Sequence, residues 1–149
     1  PEAYLWIAGE GPLEKELKEQ AEELGVSDRV RFLGWRDDRG ALLAAADICV
    51  FPSRYEPFGT VTVDAWAART PLVAAAAAGP KAYVKDGENG LLVDIDDVDG
   101  LTEAIRKLIA DPDLKERLVD GGLRAYEEQF TKDVFIRDSL RFYEQITRG

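Results

Sequence analysis

SRYEPFGTVTVDAWA, residues Ser53 to Ala67, decides how this chain reads. Asp47 to Phe51 before it is an apolar, β-favouring run with the pattern of a buried strand. A helix-compatible segment follows Phe58, so SRYEPFG is a strand-to-helix loop, where open α/β sheets bind ligands. The first N–H groups of such a helix have no partner inside the helix, and its dipole adds partial positive charge there. Gly59 lets an anion such as phosphate approach the backbone, and Thr60 can cap the helix or give its hydroxyl to the same anion. Glu56 stands just ahead of that point and Asp64 one turn beyond Thr60. A carboxylate accepts hydrogen bonds from two neighbouring hydroxyls, which suits the vicinal diol of a sugar or ribose. The pattern therefore fits a nucleotide sugar, with a solvated loop Glu and a surface helix Asp as the plainer alternative.

Working outward, Tyr4 to Ala8 is a continuous apolar run, as in a parallel strand covered on both faces. Gly9 to Gly11 make a turn. GEGPLE lacks the third glycine of a dinucleotide fingerprint, so it reads first as a structural turn. Pro12 suits a helix start, and Leu13, Leu17, Ala21 and Leu24 are spaced to share one helical face. Gly25 ends that helix, and Val30 to Leu33 is a second strand. Asp37 or Asp38 can cap a helix to Ala46 whose Leu42 and Leu43 face the core.

Ile48 to Phe51, Leu72 to Ala75 and Leu91 to Val93 complete a count of five strands. The central helix runs from Thr60 to about Ala68. DIDDVDG resembles a calcium loop, yet it lacks the twelfth-position Glu, and helix capping by Asp96 or Asp97 explains it more simply. Helices are expected at Val98 to Ala110, Leu114 to Phe130 with a bend at Gly121 and Gly122, and Lys132 to Ile146. The apolar stripe of the last, Phe135, Ile136, Leu140, Phe142 and Tyr143, reads as core or inter-domain packing. Strands alternating with helices predict an α/β fold, a Rossmann-like doubly wound parallel sheet with C-terminal helices.

Composition bounds the chemistry. A chain of 149 residues is one domain's worth, read here as a single domain over 1–149. Its formal net charge of −10 disfavours nucleic acid and anionic lipid surfaces. There is no histidine, which removes the usual zinc ligands and a Ser-His-Asp triad. The single cysteine, Cys49, excludes an internal disulfide and reads as a small buried hydrophobe. No signal peptide or membrane-spanning run is visible.

WIAGEGP at Trp6, GVSDRVRFLG at Gly25, LLAAADICVFPSRYEPFG at Leu42, PLVAA at Pro71 and VKDGENGLLV at Val84 together resemble the C-terminal half of the retaining glycosyltransferases of family four, in that family's order. The resemblance covers nearly the whole chain. It implies one half of a GT-B fold, of the kind found in bacterial cell-envelope, lipopolysaccharide or exopolysaccharide transferases. Glu56 then takes the first place of the Glu-x7-Glu signature, touching the transferred sugar. Asp64 takes the second, on the ribose, one methylene short. The amides of Phe58, Gly59 and Thr60 would hold the donor diphosphate. Gly34, Trp35 and Arg36, at the end of the second strand, would border the base, an exposed loop with a packed Trp being the alternative. Gly79 and Lys81 could approach phosphate or sugar, and Ala82 stands where the family has a glutamate.

The resemblance implies a UDP-, GDP- or ADP-sugar donor, no cofactor and no bound metal. It implies a cytoplasmic protein, or one peripheral at the inner membrane, whose first strand-helix unit and acceptor-binding N-terminal domain precede this chain. An isolated fragment that binds donor without turnover, a nucleotide-sugar epimerase or phosphorylase, and a receiver-like signalling domain are the alternatives.

Overall fold

A computed structural model describes residues 3–147. The described residues form the five expected strands and seven α-helices, one more helix than expected, and all strand pairs are parallel. The strands hydrogen-bond as two sheets, one of two strands and one of three, in place of one continuous sheet. The residues likewise form two compact units, one ending at Arg39 and the other beginning at Gly40.

The first unit holds β1 (Leu5–Ala8), α1 (Glu14–Glu23) and β2 (Val30–Gly34). Leu5 pairs with Val30 and Ile7 with Phe32, and a register shift follows Ile7. The helix begins at Glu14, two residues past Pro12. Its apolar face is mostly exposed: Ala21 is buried, while Leu13, Leu17 and Leu24 are not. The spacing is that of an amphipathic helix, and much of its stripe is left open to solvent.

The second unit holds α2 (Arg39–Ala45) from its second residue on, followed by β3 (Cys49–Phe51), α3 (Thr60–Ala67), β4 (Leu72–Ala75), α4 (Ala78–Tyr83) and β5 (Leu91–Val93). Three long helices close it: α5 (Val98–Ala110), α6 (Pro112–Gln129) and α7 (Lys132–Thr147). Sheet order is β3-β4-β5, with β4 central and buried at all four residues. Side chains alternate across a strand, so one face of β4 carries Leu72 and Ala74 and the other Val73. Leu72 and Ala74 pack with Cys49, Trp66 of α3 and Ala125 of α6. Val73 packs with Leu91, Leu108 of α5, and Leu114 and Leu118 of α6. A continuous apolar run is what a strand covered on both faces requires.

Local chemistry sets the helix ends. Asp97 caps α5 by accepting from Gly100 N–H at 2.8 Å, and Asp111 caps α6 by accepting from Leu114 N–H at 2.8 Å. Pro112 then sits in the first turn of α6, so that helix starts two residues before the expected Leu114. It runs through Gly121 and Gly122 as one helix, and both glycines mark close packing. A Cβ at Gly121 would stand 1.9 Å from the Glu88 carbonyl oxygen, and one at Gly122 2.3 Å from the Trp66 ring. The indole N–H of Trp66 donates to the Asn89 carbonyl at 2.7 Å, which fixes the ring that α6 crosses.

Candidate functional site

In the second unit, the chain leaves the carboxyl end of β3 through Pro52 and turns into α3 at Gly59, whose φ of +83° is a left-handed conformation that favours glycine. Thr60 is the first helical residue and is exposed. The cap comes from upstream: Glu56 Oε1 accepts from Phe58 N–H at 3.2 Å and from Gly59 N–H at 2.9 Å. Two of the three amides expected to hold a diphosphate are thus engaged by the protein's own carboxylate. The geometry fixes Glu56, half-buried, at the positive end of the helix.

Asp64 lies one turn further along α3. It is half-buried, and its Oδ2 atom is fully buried. Its charge reaches Cys49: burial first, and the Asp64 carboxylate second, push the thiol up to about 12 from an ordinary 9.0. Cys49 is therefore an inert core thiol, as expected from the absence of histidine.

Gly79, expected near the donor, is buried against the same loop. Its N–H donates to the Glu56 carbonyl at 2.8 Å, so it touches the loop's backbone. Phe58 lays its ring edge-on to Tyr83 of α4, with centroids 5.4 Å apart, and to Phe130 at 6.5 Å. Arg54, in the same loop, forms an exposed ion pair with Asp96, which raises the Arg54 pKa. This pair borders a cavity of about 250 Å³ at the carboxyl ends of β3, β4 and β5, also lined by Ala75 and Val93. A larger groove of about 710 Å³ runs between β5 and α5, and none of the candidate residues lines it.

In the first unit, Gly34 closes β2 with φ +62°, and its carbonyl accepts from Gly9 N–H at 2.7 Å. The Trp35 ring is 73% exposed, and its Nε1–H donates to Asp37 at 3.1 Å. Arg36 grips Asp38 through two bonds of 2.8 and 2.7 Å, which raises the arginine pKa and lowers that of the aspartate. Asp37 and Asp38 were expected to cap the next helix; their side chains instead pair with the two residues just before them.

Among the described residues, no group of three or more His, Cys, Asp or Glu side chains is placed to hold a metal ion. No helix among them is long and apolar enough to cross a membrane.

Residues 1–124 match the family model described as glycosyl transferases group 1. The chain belongs to the group 1 glycosyl transferases. It is 44% identical, over 89% of its length, to the lipopolysaccharide core biosynthesis glycosyltransferase LpsE of Rhizobium meliloti, and spans 39% of that relative. LpsD of the same organism is 40% identical over 95% of the chain, which spans 41% of LpsD. Among solved structures, Anabaena HepE in complex with UDP superposes over the whole chain with a TM-score of 0.89 at 28% identity, the chain covering 42% of it. These group 1 relatives and GT-B neighbours agree with the α/β fold and the cell-envelope resemblance read from the sequence.

Proposed function

We propose that this chain is the donor-binding half of a glycosyltransferase that moves a sugar from a nucleoside diphosphate to a glycan or lipid-linked acceptor with retention at the anomeric carbon. The observation that carries this is the Glu56 carboxylate, fixed by the Phe58 and Gly59 amides at the head of α3. Held by two N–H groups through Oε1, the acid presents Oε2 to the hydroxyls of the transferred sugar. Such positioning counts in catalysis because it is arranged before the substrate arrives. As the bond from the anomeric carbon to the β-phosphate breaks, negative charge grows on the leaving diphosphate. Thr60, with the positive end of α3 behind it, stabilises that charge without a metal ion or cofactor. Asp64 takes the ribose hydroxyls.

In the first unit, Gly34 shapes a loop on which the exposed Trp35 ring and Arg36 offer a surface to a nucleotide base. Crystal structures of the HepE neighbour contain UDP and UDP-glucose, which supports a uridine donor. The chain spans about two fifths of LpsE, so the acceptor is assigned to sequence outside it, and this chain alone binds donor without turnover. A cytoplasmic location follows from the donor, and any membrane contact belongs to the acceptor-binding part.

Titration calorimetry of the full-length protein with UDP, GDP and ADP tests the site. One nucleotide binds, and Asp64→Ala weakens it at least about tenfold, the loss of a charge-assisted contact. Glu56→Ala lowers kcat at least about tenfold while UDP affinity holds within about threefold. Wild-type kinetics and affinity for both variants would sink the assignment.

A further inference from the structure

The loop that carries Glu56 is seated by α4. Gly79 N–H bonds the Glu56 carbonyl at 2.8 Å, so the two backbones touch. A Cβ at Gly79 would stand 2.3 Å from both the carbonyl carbon and oxygen of Phe58, and 2.8 Å from the nitrogen of Gly59. All three atoms belong to one peptide group, and its N–H is the shorter of the two donors to the Glu56 carboxylate. Gly59 is seated too, since a Cβ there would lie 3.1 Å from Cδ of the fully buried Pro80. Around this contact, Phe58, Tyr83 and Phe130 pack edge to face, with the Tyr83 and Phe130 centroids 5.2 Å apart.

Resting on the role given to Glu56 above, we infer that Gly79 is a positioning residue for the transfer step: its missing side chain lets α4 set the plane of the Phe58–Gly59 peptide, and that peptide aims the acid. The physical chain is short. A methyl group at Gly79 cannot share space with a backbone carbonyl, so the peptide must move by about 1 Å to restore ordinary contact. A hydrogen bond of 2.9 Å lengthened by that amount is broken. Glu56 would then lose its fixed direction while α3 and Asp64 stay where they are. Gly79 acts entirely through the loop, because it is buried, has no side chain and already uses its N–H.

The test is a split between turnover and nucleotide affinity in the full-length protein, with UDP-glucose as donor and UDP as the calorimetric probe. Gly79→Ala should lower kcat by about a hundredfold, the scale of a 1 Å misplacement, with UDP affinity within about threefold of wild type. The double variant Gly79→Ala/Glu56→Gln should be no slower than Glu56→Gln alone, because residues acting as a unit do not add. Multiplying losses, an unchanged kcat for Gly79→Ala, or a UDP affinity that falls as far as kcat would overturn the inference.

Tyr83→Leu covers the case in which Gly79→Ala does not fold. It removes the ring that seats Phe58 and should lower kcat about threefold to tenfold with UDP affinity retained; a wild-type kcat overturns the inference. A fully active Glu56→Gln variant sinks the proposed function itself, whereas an inactive Glu56→Gln beside a normal Gly79→Ala sinks only the role of Gly79.

Discussion

Strands β1 and β4 are written almost alike, LWIA and LVAA, yet they sit in opposite surroundings. Leu5 and Trp6 in β1 are 50% and 45% exposed, whereas no residue of β4 exceeds 4%. What differs is the cover. The helices α3, α5 and α6 send Trp66, Leu108 and Leu118 onto the two faces of the three-stranded sheet. In the first unit α1 buries only Ala21. An apolar run of four thus predicts a strand, while burial depends on residues far along the chain, and at about 25 cal/mol per Å² that cover decides what each side chain contributes.

Of the three tryptophans, Trp66 and Trp35 give the sharpest way to break this contrast. Trp66 is 2% exposed and hydrogen-bonded, so Trp66→Ala should cost about 3–5 kcal/mol in urea unfolding. Trp35→Ala should cost less than about 0.5 kcal/mol. Comparable costs would mean that the exposed loop around Trp35 is held as firmly as the core. A closer pair comes next: Leu72→Ala should cost about 2–5 kcal/mol, and Leu5→Ala less than about 1 kcal/mol, because half of that side chain is already in water.

A further effect is read against pH. Folding holds the Cys49 proton to about 12, while the unfolded thiol releases it near 9.0. Below pH 9 both states keep the proton and nothing changes. Between about pH 9 and 12 the unfolded chain alone ionises, so the Cys49 contribution to stability falls by up to about 1.4 kcal/mol per pH unit. The stability difference between wild type and Cys49→Ala should therefore shrink across that window and stay flat below it. A flat difference throughout would mean that Cys49 meets water.

The sequence discloses those elements whose local chemistry and tertiary fate agree. Helix α5 was legible over Val98 to Ala110 with its cap at Asp96 or Asp97, and the structure takes Asp97. Gly121 and Gly122 carried a second meaning that the sequence did not disclose: a glycine inside a helix also permits a close approach, here of the Trp66 ring and the Glu88 carbonyl. The Leu13, Leu17 and Leu24 face was legible as a shared helical face, but its exposure was not, because spacing shows that a helix has an apolar side and not what lies on it. At the candidate site, the residue types around Glu56 were legible. Its grip on the Phe58 and Gly59 amides was not, since that depends on backbone torsions at Gly59.

Helix α7 carries a last consequence, for the chain as a colloid. Phe135, Ile136, Leu140, Phe142, Tyr143 and Ile146 all lie open along its 16 residues. Short-range adhesion through this stripe is opposed by long-range repulsion between molecules that each carry −10. Salt acts unequally on the two, cutting the reach of the charge from about 10 Å at 0.1 M to about 3 Å at 1 M while leaving the stripe as adhesive as before. The chain by itself is therefore best dispersed in dilute buffer, and concentrated salt, which rescues many proteins from clumping, drives this one together.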